Sequence, residues 1–177
     1  MIAVYKRKIT FLFVLLVGLW AANLGFAQTM TYAELAIGKI QVGNTFQQVV
    51  AVMGQPTNMT NDVFAEGIQL ARYYYGDKLE IIGRGFLPEV SVEKLKVTGF
   101  RCQNKDYATP GGIAVGTAYS KVVNKFGAGT KLDLAYVDKP LIGCTYYAYE
   151  ISQTGRQMVL AVDGEGIIQL IEVNTEL

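Results

Sequence analysis

Three kinds of side chain in this 177-residue chain have types and spacings that bear on chemistry: two cysteines, a few closely spaced carboxylates, and runs of tyrosine. Histidine is absent throughout, which removes the commonest general base near neutral pH and the commonest metal ligand. Neither a Ser-His-Asp nor a Cys-His nucleophile can therefore be assembled. Cys102 and Cys144 form no C-x-x-C pair, so structural zinc and thioredoxin-type exchange are not expected. Two carboxylates suffice for acid-base hydrolysis, and Asp77 with Glu80, or Asp163 with Glu165, are the candidates. Asp77 and Asp163 fall in the dipeptides Gly76-Asp77 and Asp163-Gly164, where aspartate serves turns by bonding nearby backbone. The stretch Asp163-Gly164-Glu165-Gly166 lacks the alternating oxygen ligands of a calcium loop. Gly83-Arg84-Gly85 has too few glycines, and no helix start behind it, for a phosphate cradle. The expectation is a non-enzymatic protein with no cofactor and no metal.

The tyrosines are the residue set that core packing alone does not explain. Tyr73, Tyr74 and Tyr75 lie in one predicted strand, and Tyr146, Tyr147 and Tyr149 in another. Neighbouring strand residues point to opposite faces, so both faces of a sheet receive rings. Tyr74, Tyr147 and Tyr149 are the candidate binding residues, expected on an open sheet face where a large ring with a polar tip suits an interface. The alternative is ordinary sheet stabilisation by aromatic cross-strand pairs.

These residues must be positioned by the elements around them, and by the compartment the chain reaches. Lys6, Arg7 and Lys8 precede an apolar run from Ile9 to Phe26 that ends in Gly25-Phe26-Ala27, the pattern of a secretory signal peptide cleaved after Ala27. The alternative is a retained anchor, since the run of about 18 residues reaches the lower limit for a span. Loss of the three cations takes the formal net charge from +1 to −2. A weakly acidic domain lacks the basic face that nucleic acid would need. No membrane insertion is expected after cleavage, and the localisation is exported, either periplasmic or secreted. In an oxidising compartment Cys102 and Cys144 are a candidate disulfide; the alternative is two small buried thiols.

The segment Val42-Gly43-Asn44-Thr45-Phe46-Gln47-Gln48-Val49-Val50-Ala51-Val52-Met53-Gly54 resembles Val115-Gly116-Thr117-Ala118-Tyr119-Ser120-Lys121-Val122-Val123-Asn124-Lys125-Phe126-Gly127, each position offset by 73. Phe46, Val49, Val50 and Met53, and Tyr119, Val122, Val123 and Phe126, fall at helical spacing as one apolar stripe each. Asn44 and Thr117 are the expected N-caps, and Gly54 and Gly127 the expected C-terminal residues. A further short helix is expected from Thr31, because Thr31-x-x-Glu34 reads as a capping box. Three β-rich runs follow each helix, with tight reversals at Gly76-Asp77, Thr154-Gly155 and Asp163-Gly164. The expected fold class is α+β: a tandem repeat of short helices followed by an antiparallel β-meander, the helices packed on one face of a sheet of about six strands and the other face open. The divisions are 1–27 signal peptide, 28–102 first repeat, 103–112 linker and 113–177 second repeat.

The phrase Val42-Gly43-Asn44-Thr45-x-x-x-Val49-x-x-x-x-Gly54-x-Pro56 resembles the core motif of SmpA/OmlA-type outer-membrane assembly lipoproteins. Its doubling, with aromatic strands after each helix, is similar to the beta-lactamase inhibitor protein family. The resemblance implies helices packed on an antiparallel sheet and work done by binding other proteins rather than by catalysis. No cysteine lies near the leader junction to carry the lipoprotein family's lipid.

The functional expectation is an exported, non-enzymatic protein-binding or envelope-assembly module, with a cell-envelope protein as partner. A cell-wall glycan-binding domain is the alternative, with the tyrosines as stacking platforms. A two-carboxylate hydrolase and a purely structural role with buried tyrosines stand behind these.

Overall fold

The computed structural model describes residues 27–64, 67–86 and 91–175. The apolar run Ile9 to Phe26, and with it the body of the expected leader, lies outside the described residues. Two strands of two residues each, β1 (Ala36–Ile37) and β2 (Ile40–Gln41), form a small ribbon ahead of helix α1 (Phe46–Met53). Four strands follow: β3 (Asn58–Val63), β4 (Ile68–Tyr75), β5 (Leu79–Phe86) and β6 (Lys96–Cys102). Helix α2 (Tyr119–Phe126) then precedes β7 (Thr130–Lys131), β8 (Thr145–Ile151), β9 (Arg156–Val162) and β10 (Ile168–Thr175). Strands β3 to β10 make a single sheet in the order β3-β4-β5-β6-β10-β9-β8-β7, with every pairing antiparallel.

This architecture is mostly antiparallel β, and it overturns the expected α+β tandem repeat of short helices. The described residues hold two α-helices of eight residues each against an eight-stranded sheet and a two-stranded ribbon. The expected helix at Thr31 is a single 3-10 turn, Tyr32–Glu34, in which Thr31 makes no side-chain cap. Glu34 does not reach back to Thr31; its carboxylate accepts from the Thr109 hydroxyl at 2.6 Å and from the Gly111 N–H at 3.0 Å. A carboxylate buried to 7 % exposure takes whatever donors close around it, and here those lie far along the chain. The 73-residue offset also fails in the strands. Tyr73 packs with the helix-side core, whereas Tyr146 belongs to the cluster on the opposite face. A side-chain period of two makes a one-residue slip reverse every side chain.

Both helices lie over the same face. Phe46 and Val49 of α1 and Val122 of α2 are buried in the main core with Tyr73, Ile81, Phe100, Met158 and Leu160. The cap of α1 sits one residue beyond Asn44: the Thr45 side chain accepts from the Gln48 N–H, and the Gln48 side chain accepts from the Thr45 N–H. Ala118, not Thr117, is the N-cap of α2 and supplies no side-chain bond. Gly54 and Gly127 end the helices at φ 79° and 82°, where a Cβ would be strained. Gly83 and Gly85 also have a packing reason. An added Cβ would stand 2.2 Å from Phe46 Cε2 at the first and 2.3 Å from Leu95 Cδ2 at the second, so the bare backbone admits the core side chains.

The far face of the sheet is covered over one half only. Tyr146, Ala148, Val159, Ala161 and Leu170 form a second cluster under Leu132, Val137, Leu141 and Cys144 of the segment between β7 and β8. Hydrogen bonds hold that segment down, beginning with the Leu132 N–H, which donates to the Tyr146 carbonyl at 2.9 Å. The Leu141 N–H donates to the Tyr146 hydroxyl at 2.6 Å, and Arg101 donates to the carbonyls of Asp138 at 3.1 Å and Lys139 at 2.8 Å. The expectation of one wholly open face is thus corrected.

Candidate functional site

The uncovered half of the far face, over β3, β4, β5 and β6, is the candidate site. Counting in twos along β4 from Tyr74 reaches Arg72, Leu70 and Ile68, and the register places Ile82 opposite Arg72 and Arg84 opposite Leu70. Together with Phe64, Thr98, Asp138 and Glu172 these residues line a groove of about 500 Å³. Phe64 and Phe86 are 51 % and 63 % exposed at this end of the sheet, so the apolar floor continues into an apolar rim. A concave apolar surface with a few placed charges is the usual form of a binding site.

The charges fall in two sets. Arg72 bridges Asp62 at 3.2 Å and Glu80 at 3.1 Å, so its charge is already taken up by two carboxylates. Arg101 holds Glu172 at 2.7 Å while gripping the covering segment, so the wall carrying Asp138 is joined to the floor. Arg84 enters no salt bridge among the described residues. It lines the same groove as Asp138 and Glu172.

Of the sequence-derived candidates, Tyr74 alone lies on this face, half-buried between Asn58 and Glu80 of the flanking strands. Tyr147 and Tyr149 lie on the helix side. Tyr147 stacks on Tyr119 of α2, centroids 4.4 Å apart and planes 21° from parallel. Tyr149 is 7 % exposed, and its hydroxyl bonds the Gly127 carbonyl and the Tyr119 hydroxyl, each at 3.0 Å. The expected trio therefore does not form one surface. Leu70, Ile82 and Arg84 were missed although period-two alternation from Tyr74 marks their strands, because the repeat offset assigned the wrong parity to Tyr147.

Cys102 and Cys144 are both free. Cys102 lies in the helix-side core and Cys144 against the opposite cluster, so the sheet itself stands between them and the expected disulfide is absent. Burial raises both thiols above their ordinary range, which disfavours the reactive thiolate. The Asp163 carboxylate accepts from the Glu165 and Ile167 N–H groups, each at 2.9 Å, and from Gln169 at 2.6 Å. These bonds, that of Ile167 foremost, hold its pKa below the usual carboxylate value; the group serves the turn. Among the described residues no group of three or more Cys, Asp or Glu is placed to hold a metal ion, and no helix is long and apolar enough to cross a membrane.

Two tyrosines whose hydroxyls bond the carbonyls of the glycines that end the helices, Tyr75 at Gly54 and Tyr149 at Gly127, give a pH signature. Burial, reinforced by the Tyr119 hydroxyl, raises the pKa of Tyr149 above its ordinary 10; burial pushes Tyr75 up to about 12. A raised phenol pKa means the neutral form is favoured by the fold, so its stabilisation is complete below pH 10 and is lost as pH rises through the folded value. Tyr149→Phe should lower stability near pH 7 by about 1 kcal/mol through the lost hydrogen bonds, yet raise the midpoint of alkaline unfolding. Circular dichroism melts at pH 7 and from pH 10 upward would check both signs. A midpoint that does not rise would separate Tyr149 from alkaline unfolding.

No protein-family model and no curated protein matches the chain. Among solved structures, the crystal structure of a DUF4309 family protein (YjgB) from Bacillus subtilis subsp. subtilis str. 168 is similar at a TM-score of 0.40 and 10% identity. The likeness covers 78% of this chain and 83% of that one.

Proposed function

We propose that this protein is an exported, non-enzymatic binding module that holds a segment of a cell-envelope protein in the groove on the uncovered half of its sheet. The observation that carries this reading is the asymmetry of the far face. The chain spends residues 132–144 covering β8, β9 and β10, yet leaves Ile68, Leu70 and Ile82 lining a groove. Arg84 on the floor and Asp138 on the wall of the groove set a direction for the bound segment. Its apolar side chains meet the floor, its acidic end lies toward Arg84, and its basic end lies toward Asp138.

The test is capture from envelope extract by the parent protein and by two variants that keep the parent's circular dichroism. Leu70→Asp replaces apolar floor with a carboxylate placed opposite Arg84, so it removes apolar contact and occupies the cation offered to the partner, and it should weaken capture of a given partner at least about tenfold. Val52→Asp lies on the exposed side of α1 (51 % exposed) and should leave capture unchanged. Equal retention by all three proteins would remove the groove from the reading. Glycan stacking has less support, since Tyr147 and Tyr149 lie beneath α2 and Tyr74 stands alone. Sedimentation with insoluble peptidoglycan would report that alternative.

A further inference from the structure

A second concave surface lies on the helix side of the sheet, across from the groove. Helix α1, β3, β4 and the 3-10 turn Val92–Lys94 border a cavity of about 560 Å³. The Phe46 N–H donates to the Leu95 carbonyl at 3.0 Å, which ties the start of α1 to the end of that turn. Gln47, Gln55, Asn61, Tyr73 and Glu93 bring polar groups to the cavity, and Val50 and Val92 bring aliphatic surface. Asn61 pairs with Ala71, which belongs with Tyr73 to the helix-side core, and directly opposed strand residues share a face. Glu93 is the one charged residue among those lining the cavity.

Tyr73 leaves a bonding group open to this cavity. The residue is 6 % exposed and its ring is held against Phe46, yet its hydroxyl bonds nothing among the described residues. Thr60 Oγ1 and Gln69 Oε1 are orphaned and sealed, whereas the Tyr73 hydroxyl is not sealed. Buried tyrosine hydroxyls ordinarily find a partner, and here the partner has to come through the cavity. Burial, and after it the charge of Glu93, raises the phenol above its ordinary range. The hydroxyl therefore stays protonated near neutral pH, able both to donate and to accept.

The groups around it have unequal roles. Asn61 Oδ1 already accepts from Gln69 Nε2 at 2.9 Å, which leaves the Asn61 amide to donate, while the Glu93 carboxylate only accepts. Gln47 and Gln55 make no side-chain hydrogen bond among the described residues, and each can do both. The complement is a ligand whose groups donate and accept alike and which carries C–H surface for Val50 and Val92. Hydroxyls meet that demand. An ammonium has no acceptor for the Asn61 amide, and a carboxylate or phosphate has no donor for Glu93 and is repelled by it. We propose that this cavity binds a short neutral saccharide, with the Tyr73 hydroxyl and the Glu93 carboxylate meeting neighbouring sugar hydroxyls. Recognition is by hydrogen bonds to the edge of Tyr73, without ring stacking. The groove and the cavity lie on opposite faces of the sheet, so each is tested separately.

The protein recovered after expression of the full chain, titrated with maltotriose, cellotriose and the N-acetylglucosamine trimer up to about 50 mM, reads binding in the millimolar range expected of a few hydrogen bonds. Followed by heteronuclear NMR, at least one of the three should give saturable shifts of the side-chain amide signals of Gln47, Gln55 and Asn61. Tyr73→Phe keeps the ring and removes only an unpartnered hydroxyl, so its melting temperature should match or exceed the parent's. Its affinity should fall about threefold to tenfold, the share of one hydrogen bond. Glu93→Gln should weaken binding about tenfold, since bonds to a charged acceptor are the stronger kind. Cadaverine and hexanoate at the same concentration should leave these signals unmoved. The absence of a saturable shift with any of the three saccharides overturns the inference, as do shifts confined to the groove face around Leu70 and Ile82. So does an affinity indifferent to Tyr73→Phe, or cadaverine binding more tightly than every saccharide. A melting temperature that falls in Tyr73→Phe would show the hydroxyl to be satisfied within the protein, and would overturn it as well.

Discussion

Phe46→Ala is expected to destabilise the protein by about 3–5 kcal/mol, the range for removing a fully buried aromatic ring and leaving a cavity. Phe46 has no solvent exposure, packs on Tyr73 with centroids 4.1 Å apart, and lies directly over the backbone of Gly83. It is the first residue of α1, an eight-residue helix too short to be stable alone, so the helix stays folded because this face is buried. Urea unfolding followed by circular dichroism would measure the loss; a change under about 1 kcal/mol would mean that α1 contributes little to the core. A second substitution sharpens the test. Gly83→Ala alone drives a methyl into the Phe46 ring, but beside Phe46→Ala that methyl enters the space vacated. The two changes should be strongly non-additive, as contacting residues are.

Tyr146→Ala is expected to cost a similar amount, about 3–5 kcal/mol, with a different consequence. Tyr146 is fully buried on the far face, and its hydroxyl accepts the Leu141 N–H from the covering segment. Losing the ring opens the second cluster and frees the cover at one of its attachments, leaving those made by Arg101 and by the Leu132 N–H. Tyr146→Phe keeps the ring and loses only the acceptor, so it should cost about 1–2 kcal/mol, the desolvation penalty of an unpaired N–H. Hydrogen exchange at the Leu141 amide would distinguish the outcomes. Fast exchange in Tyr146→Phe with a protected β9 would place the effect in the cover, whereas equal loss of protection throughout would place it in the whole sheet. Because Asp138 of this segment forms one wall of the groove, a loosened cover should also weaken whatever the groove binds.

Much of the local structure was legible in the sequence because it depends on short-range physics. The apolar stripes of Phe46–Met53 and Tyr119–Phe126, the glycines that end both helices, and Asp163 in its turn need only neighbouring residues to explain them. β3 was not legible, since Asn58–Val63 carries neither an apolar alternation nor a β-rich composition; β4 and the salt bridge from Arg72 to Asp62 hold it in the sheet. The parity of the tyrosines was lost for a related reason. The matched helices suggested one offset for everything behind them, but each strand takes its own register from the partner it pairs with.

The sequence by itself determined the chemical limits of this protein: a histidine-free chain with two separated cysteines, turn-bound aspartates and paired tyrosines. Tertiary structure alone decided which surface those limits leave available. β6 pairs with the final strand β10 rather than with β8, which merges the strands into one sheet. The segment 132–144 covers half of the far face and leaves Ile68, Leu70 and Ile82 in a groove. Strand order, the separation of Cys102 from Cys144 by the sheet, and the half-covered face all arise from contacts between residues distant in the chain. Such contacts are chosen by which apolar surfaces can be buried together, and no local pattern encodes that choice.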